Sequence, residues 1–107
     1  MITLIVVKLQ IEGLHHWPNC DIEEVSFLKN PHRHIFHITC KKEVTHDDRD
    51  IEIIMFKRKI HNYIVDKWKG DFGSMSCEMI ASDLLKEFGL FYCKVLEDNE
   101  NGAEVTL

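Results

Sequence analysis

From residue 32 to residue 40 every second side chain is a histidine or an apolar group: His32, His34, Phe36, Ile38 and Cys40. A period of two puts all five on one face of an extended strand, whereas a helix would scatter them around its circumference. Arg33, His37, Thr39 and Lys41 fall on the other, mainly polar face, which is the alternation of a half-buried antiparallel strand. Asn30-Pro31 fits a strand start, because a proline ring biases its predecessor towards extended geometry and is itself tolerated at a strand's first position. A face of this kind needs a second layer to cover it, so the rest of the chain must supply partner strands and amphipathic helices.

Residues 2 to 12 are rich in leucine and β-branched side chains, with Ile5, Val7, Leu9 and Ile11 on one face. Continuing that alternation puts His15 on the apolar side and His16 opposite. Trp17-Pro18-Asn19-Cys20-Asp21 reads as a turn, and residues 22 to 28 as a short helix capped by Asn19 or Asp21. After the second strand, His46-Asp47-Asp48-Arg49-Asp50 is a polar turn, and Ile51 with Ile53 is expected to begin a third strand, trimmed by the helix that follows. Phe56, Ile60, Tyr63, Ile64 and Trp68 recur at helical spacing, which predicts a helix over residues 55 to 68, ended by Gly70 and Gly73. Ser76 is the expected N-cap of a second helix, with Glu78 in its first turn, Ile80, Ala81, Leu84, Leu85 and Phe88 as its buried stripe, and Gly89 as its C-cap. Residues 90 to 96 alternate as a strand, and Asn99-Glu100-Asn101-Gly102 turns it into a last strand over residues 103 to 107. The expected fold is one α+β domain over residues 1–107, with two helices on one face of an antiparallel sheet.

A domain of 107 residues buries only about two-thirds of the surface its unfolded chain exposes, so self-association would help it. The net charge of −5 argues against nucleic acid, whose phosphates demand a basic face, and favours a small partner. No apolar run reaches the roughly 18 residues of a membrane span, so no membrane partner is expected. The apolar start lacks a basic segment and a cleavage site, so a cytoplasmic location is expected. Cys20, Cys40, Cys77 and Cys93 are widely spaced and form no C-x-x-C pair, and are read as thiols, mostly buried.

The chemistry concentrates in the histidines. His32 and His34 are two apart on one strand face, where both imidazoles can converge on one cation, and His15 at the end of the neighbouring strand can supply a third ligand. Three neutral imidazoles and an open position suit a catalytic zinc. The same spacing also fits packed, hydrogen-bonded side chains. Glu97 ends an apolar row of Phe91, Cys93 and Val95, where its carboxylate could accept paired N–H groups of a ligand or stand as a solvated strand-end charge.

Several segments resemble, in order, the 6-pyruvoyl- and 6-carboxytetrahydropterin synthase family. Ile11-Glu12-Gly13-Leu14-His15 looks like its first-strand signature, and Pro31-His32-Arg33-His34-Ile35-Phe36 like its histidine, glycine, histidine run. Ser76-Cys77-Glu78-Met79-Ile80-Ala81 is similar to the opening of its second helix, and Val95-Leu96-Glu97-Asp98 to the segment whose glutamate grips the pterin ring. The resemblance implies the tunnelling fold, four antiparallel strands and two helices per subunit, joined into a β-barrel homotrimer or homohexamer with sites at subunit interfaces. It also implies Zn2+ on His15, His32 and His34, Glu97 and Glu78 on the ligand side, and a carbon–oxygen lyase acting on a pterin triphosphate.

The departures from the family are as informative. Its cysteine just before the histidine pair has no counterpart in residues 25 to 30, which leaves Cys20 as the nearest thiol. Its aspartate–histidine dyad ahead of the second helix is missing too. His46 with Asp47 could act as a substitute acid–base pair, or be a charged hairpin tip. Arg33 replaces a small residue between the metal ligands, and its guanidinium suits a phosphate or carboxylate at a subunit boundary. Two functions are therefore expected: a zinc-dependent lyase with an altered site, or a non-catalytic multimer that sequesters a purine-like, nucleotide-derived signalling molecule. A structural oligomer stabilised by zinc would leave Glu97 without a role.

Overall fold

The computed structural model describes residues 1–107. The chain runs β1 (Thr3–His15), a 3-10 stretch (Glu23–Lys29), β2 (His32–Val44), α1 (Ile53–Trp68), α2 (Cys77–Phe88), β3 (Tyr92–Glu97) and β4 (Asn101–Thr106). The strands form one antiparallel sheet in the order β1-β2-β3-β4. Val7, Leu9, Phe36, Ile38, Cys40, Cys93 and Val95 project from one sheet face into a buried cluster with Ile60, Ile64, Ile80, Ala81 and Leu84 of the helices. This is the α+β architecture with both helices on one sheet face, and no helix is long and apolar enough to cross a membrane.

The expected third strand is absent. Residues 45 to 52 form no strand, and Ile53 already opens α1, two residues earlier than its apolar stripe suggests. The cause is Glu52, whose carboxylate accepts hydrogen bonds from the amides of Ile54 and Met55 and so caps the helix. Glutamate is not among the residues usually favoured at that position. In the 3-10 stretch neither Asn19 nor Asp21 caps, since Ile22 holds the N-terminal position with no side-chain bond. Ser76 and Gly89 cap α2 as expected, Ser76 through the Met79 amide and Gly89 in the left-handed conformation.

The register positions the histidines. His15 pairs with His32, Gly13 with His34, and Glu97 with Phe36, so the ends of β1 and β3 meet the start of β2. Gly13 leaves space there for Phe72, which packs against Phe36 at 4.8 Å between ring centroids; a Cβ on Gly13 would lie 2.7 Å from the Phe72 ring. Phe72 is only 3% exposed and cannot retreat into solvent. Gly13→Ala is therefore expected to destabilise the fold by about 1–3 kcal/mol, the usual cost of overpacking, as measured by urea denaturation.

Candidate metal centre

Each histidine of the cluster is oriented by a different part of the chain. The loop between the helices is stitched to the end of β1: Leu14 donates its N–H to Gly70 O (3.0 Å), Phe72 to Leu14 O (2.8 Å) and His16 to Gly73 O (2.9 Å). Gly70 and Gly73 turn this loop at positive φ, 85° and 63°, where side chains are disfavoured. The loop delivers the Met75 carbonyl to His15 Nδ1 at 2.9 Å. Just before β2, the Asn30 carbonyl meets His32 Nδ1, also at 2.9 Å. At the end of β3, Asp98 and Asn99 adopt the left-handed conformation, which short polar side chains tolerate. That turn brings Asp98 Oδ2 to His34 Nδ1 at 2.7 Å, while Oδ1 accepts from the Ile35 amide at 3.0 Å.

Two carbonyls and a carboxylate can only accept, so each Nδ1 carries the proton and each Nε2 of the neutral rings is left with a lone pair. One ligand atom from each of His15, His32 and His34 lies within 4.8 Å of the others. The rings stand edge to face, with His15 to His32 centroids 4.6 Å apart and His32 to His34 5.0 Å. Phe36 forms an apolar floor, 5.2 Å from His15 and 5.7 Å from His34. His15 is 8% exposed, and its Nε2 is buried without a hydrogen-bond partner. An orphaned buried nitrogen is costly, about 1–3 kcal/mol. Imidazoles whose second nitrogen is tied to a carbonyl or carboxylate are the arrangement of bound zinc, so this donor set fits the metal ion.

Beside the rings opens a cleft of ≈ 400 Å³ whose walls include His15, His32, Trp17, Cys77, Glu78 and Glu97. His16 lines it too, and its buried Nδ1 has no partner. The thiol that reaches the cleft is Cys77, at the first position of α2, with Sγ 3.7 Å from Glu97 Oε2. Burial, with the nearby carboxylates of Glu97 and Glu78, pushes the Cys77 thiol up to about 12, so it keeps its proton at neutral pH.

The other residues singled out from the sequence lie elsewhere in the chain. The Cys20 thiol is buried and faces the carbonyls of Ile22 and Val25 at 3.7 and 3.6 Å, within its own loop. His46 and Asp47 follow the far end of β2, about 40 Å of strand from His34; Asp47 accepts from Thr3, and His46 accepts from the Asp48 amide. Arg33 points from the opposite sheet face and pairs with Glu12 at 2.7 Å. Two contributors went unnoticed in the sequence, Asp98 and Cys77. The adjacent Asp98-Asn99 pair, both tolerant of positive φ, was the available signal for the first; the position of Cys77 just after the Ser76 cap was the signal for the second.

No protein-family model matches the chain, and no curated protein matches it. Among solved structures it is similar to the uncharacterized protein WS1659 from Wolinella succinogenes, at 14% identity and a TM-score of 0.65, over 99% of this chain and 98% of that one. At that identity the likeness speaks to the fold alone.

Two outcomes follow. In the metal-free protein, nitrogen-15 NMR of the imidazoles is expected to find His15, His32 and His34 as the Nδ1–H tautomer. The His34 ring, helped by the Ile35 amide, holds the Asp98 carboxyl below its ordinary range. A depressed carboxyl stabilises the fold above its unfolded pKa of about 3.9 and loses that contribution as pH falls through its lower folded value. Thermal melting of wild type should accordingly decline more steeply than that of Asp98→Asn as pH drops below about 4.

Proposed function

We propose that this chain is a pterin-synthase-like protein of the tunnelling fold, in which His15, His32 and His34 hold zinc and the adjoining cleft takes a pterin or purine-like heterocycle. The observation that carries this reading is the convergence of the three rings, each with Nδ1 committed to an acceptor and with one ligand nitrogen of each within 4.8 Å of the others. When bound, zinc would polarise a ligand oxygen or activate a water. Glu97 supplies a carboxylate that can accept the paired N–H groups of an aminopyrimidinone edge, and Glu78 adds a second acceptor at the start of α2, where the heterocycle's donors would enter.

Assembly is part of the proposal. The outward-facing backbone groups of β1 over residues 4 to 12 have no backbone partner in the chain, and β4 leaves the opposite sheet edge free. A long bare edge strand invites pairing with another chain. Joining β1 of one copy to β4 of the next, repeated around an axis, closes a barrel as a homotrimer, or a homohexamer if two rings stack, and abolishes both edges.

For the chemistry, a carbon–oxygen lyase of the pterin synthase type requires a proton shuttle. Neither Cys20 nor the His46–Asp47 pair reaches the cleft of its own chain. Cys77 does, but its thiol is directed at the Glu97 carboxylate as a hydrogen-bond donor. That observation favours the second reading, a non-catalytic multimer that sequesters a nucleotide-derived molecule. Native mass spectrometry of protein purified without added metal separates the readings. Three or six copies with one zinc each and no retained ligand support the lyase; a multimer retaining a nucleotide-derived mass supports sequestration. A monomer with neither metal nor ligand would overturn both.

A further inference from the structure

Glu97 stands closer to the three histidines than the anchoring of a heterocycle requires. Its Oε2 lies 2.9 Å from His15 Nε2, and its Oε1 lies 3.6 Å from His34 Nε2. The nearer contact is not a hydrogen bond, because His15 Nε2 has no partner in hydrogen-bonding geometry. With Nδ1 of both rings already donating, the atoms facing each other are imidazole lone pairs and carboxylate oxygens. Acceptor against acceptor at this range is repulsive unless a proton or a metal ion lies between them, and a metal ion serves both contacts at once. Around a tetrahedral zinc with bonds of about 2.0–2.1 Å, neighbouring donor atoms sit about 3.3 Å apart. The two Glu97 separations bracket that distance.

We infer that Glu97 is the fourth ligand of the trihistidine centre and closes it in the resting protein. The strand register supports this directly: Glu97 lies opposite Phe36, the floor of the site, so its side chain rises on the same sheet face as His32 and His34. Cys77 also holds the carboxylate, its thiol donating to Oε2 at 3.7 Å. The inference rests on the proposed metal function and changes how that site works. One carboxylate cannot bind the metal and accept both N–H groups of a heterocycle at once. A bound heterocycle must draw Glu97 away, and that movement opens a coordination position only when a ligand is in place.

The test uses the cobalt(II)-loaded protein, with azide as a probe of open coordination and visible absorption as the readout. Wild type is expected to keep its spectrum in azide, while Glu97→Ala and Glu97→Gln take azide and bind cobalt at least about tenfold more weakly in chelator competition. A wild-type spectrum that shifts with azide as the variants' do, with equal cobalt affinity, would leave Glu97 as a heterocycle anchor only and overturn the inference while sparing the metal reading. Wild type that binds no cobalt at all would overturn the metal reading and this inference together. A wild-type spectrum that shifts with azide overturns the inference even if the variants fail to fold.

Discussion

Three imidazoles gathered at the end of a β-sheet, one of them with a buried nitrogen that no donor of the protein satisfies, are the constraint on which the site depends. Each ring has already given its Nδ1 proton to an acceptor, so rotating a ring to satisfy Nε2 would orphan Nδ1 instead. His15 bears most of the tension, with its Nε2 buried and facing a carboxylate oxygen. Three separate parts of the chain hold the rings in this pose, and a cation at their centre would remove the unfavourable contacts.

The frame that holds the rings is distributed along the chain. β1 and β2 set the pair His15 and His32 side by side through their register, and Gly13, with no side chain, admits Phe72 beneath His34's partner position. The inter-helix loop is bound to the end of β1 by three backbone hydrogen bonds, and the Met75 amide donates back to Phe72 O at 3.2 Å, which ties the residue whose carbonyl meets His15 into that loop. The β3–β4 turn performs the same service for His34 through Asp98, whose backbone N–H also donates to Ile35 O at 2.8 Å. The helices contribute the core under the sheet, and their connection and the start of α2 form one wall of the cleft. Fold and site are therefore built from the same elements.

Much of this was legible in the sequence, for reasons that differ residue by residue. β1 and β2 announce themselves because one face is buried and the other is wet, and the alternation carries the three histidines to one side. α1 and α2 follow from stripes at helical spacing. The false third strand came from Ile51 and Ile53, two residues that satisfy a period of two without the length to establish it, while the glutamate cap that starts α1 there is an uncommon one. Asp98 was hidden because its role depends on the left-handed turn between β3 and β4, which carries its carboxylate to His34 and Ile35 of β2, and the Met75 and Asn30 carbonyls have no side-chain signature at all. Cys20 stood out by chain distance to the histidine pair, yet Cys77, fifty-seven residues further on, is the thiol that folding brings to the cleft.

The fold is shared with WS1659, and the proposed metal centre at His15, His32 and His34 is open to direct observation. Crystals grown with zinc and measured on both sides of the zinc absorption edge should show one anomalous peak per chain, about 2.0–2.1 Å from Nε2 of His15, His32 and His34. A map with no peak between these rings, or with zinc bound through their Nδ1 atoms, would contradict the metal centre.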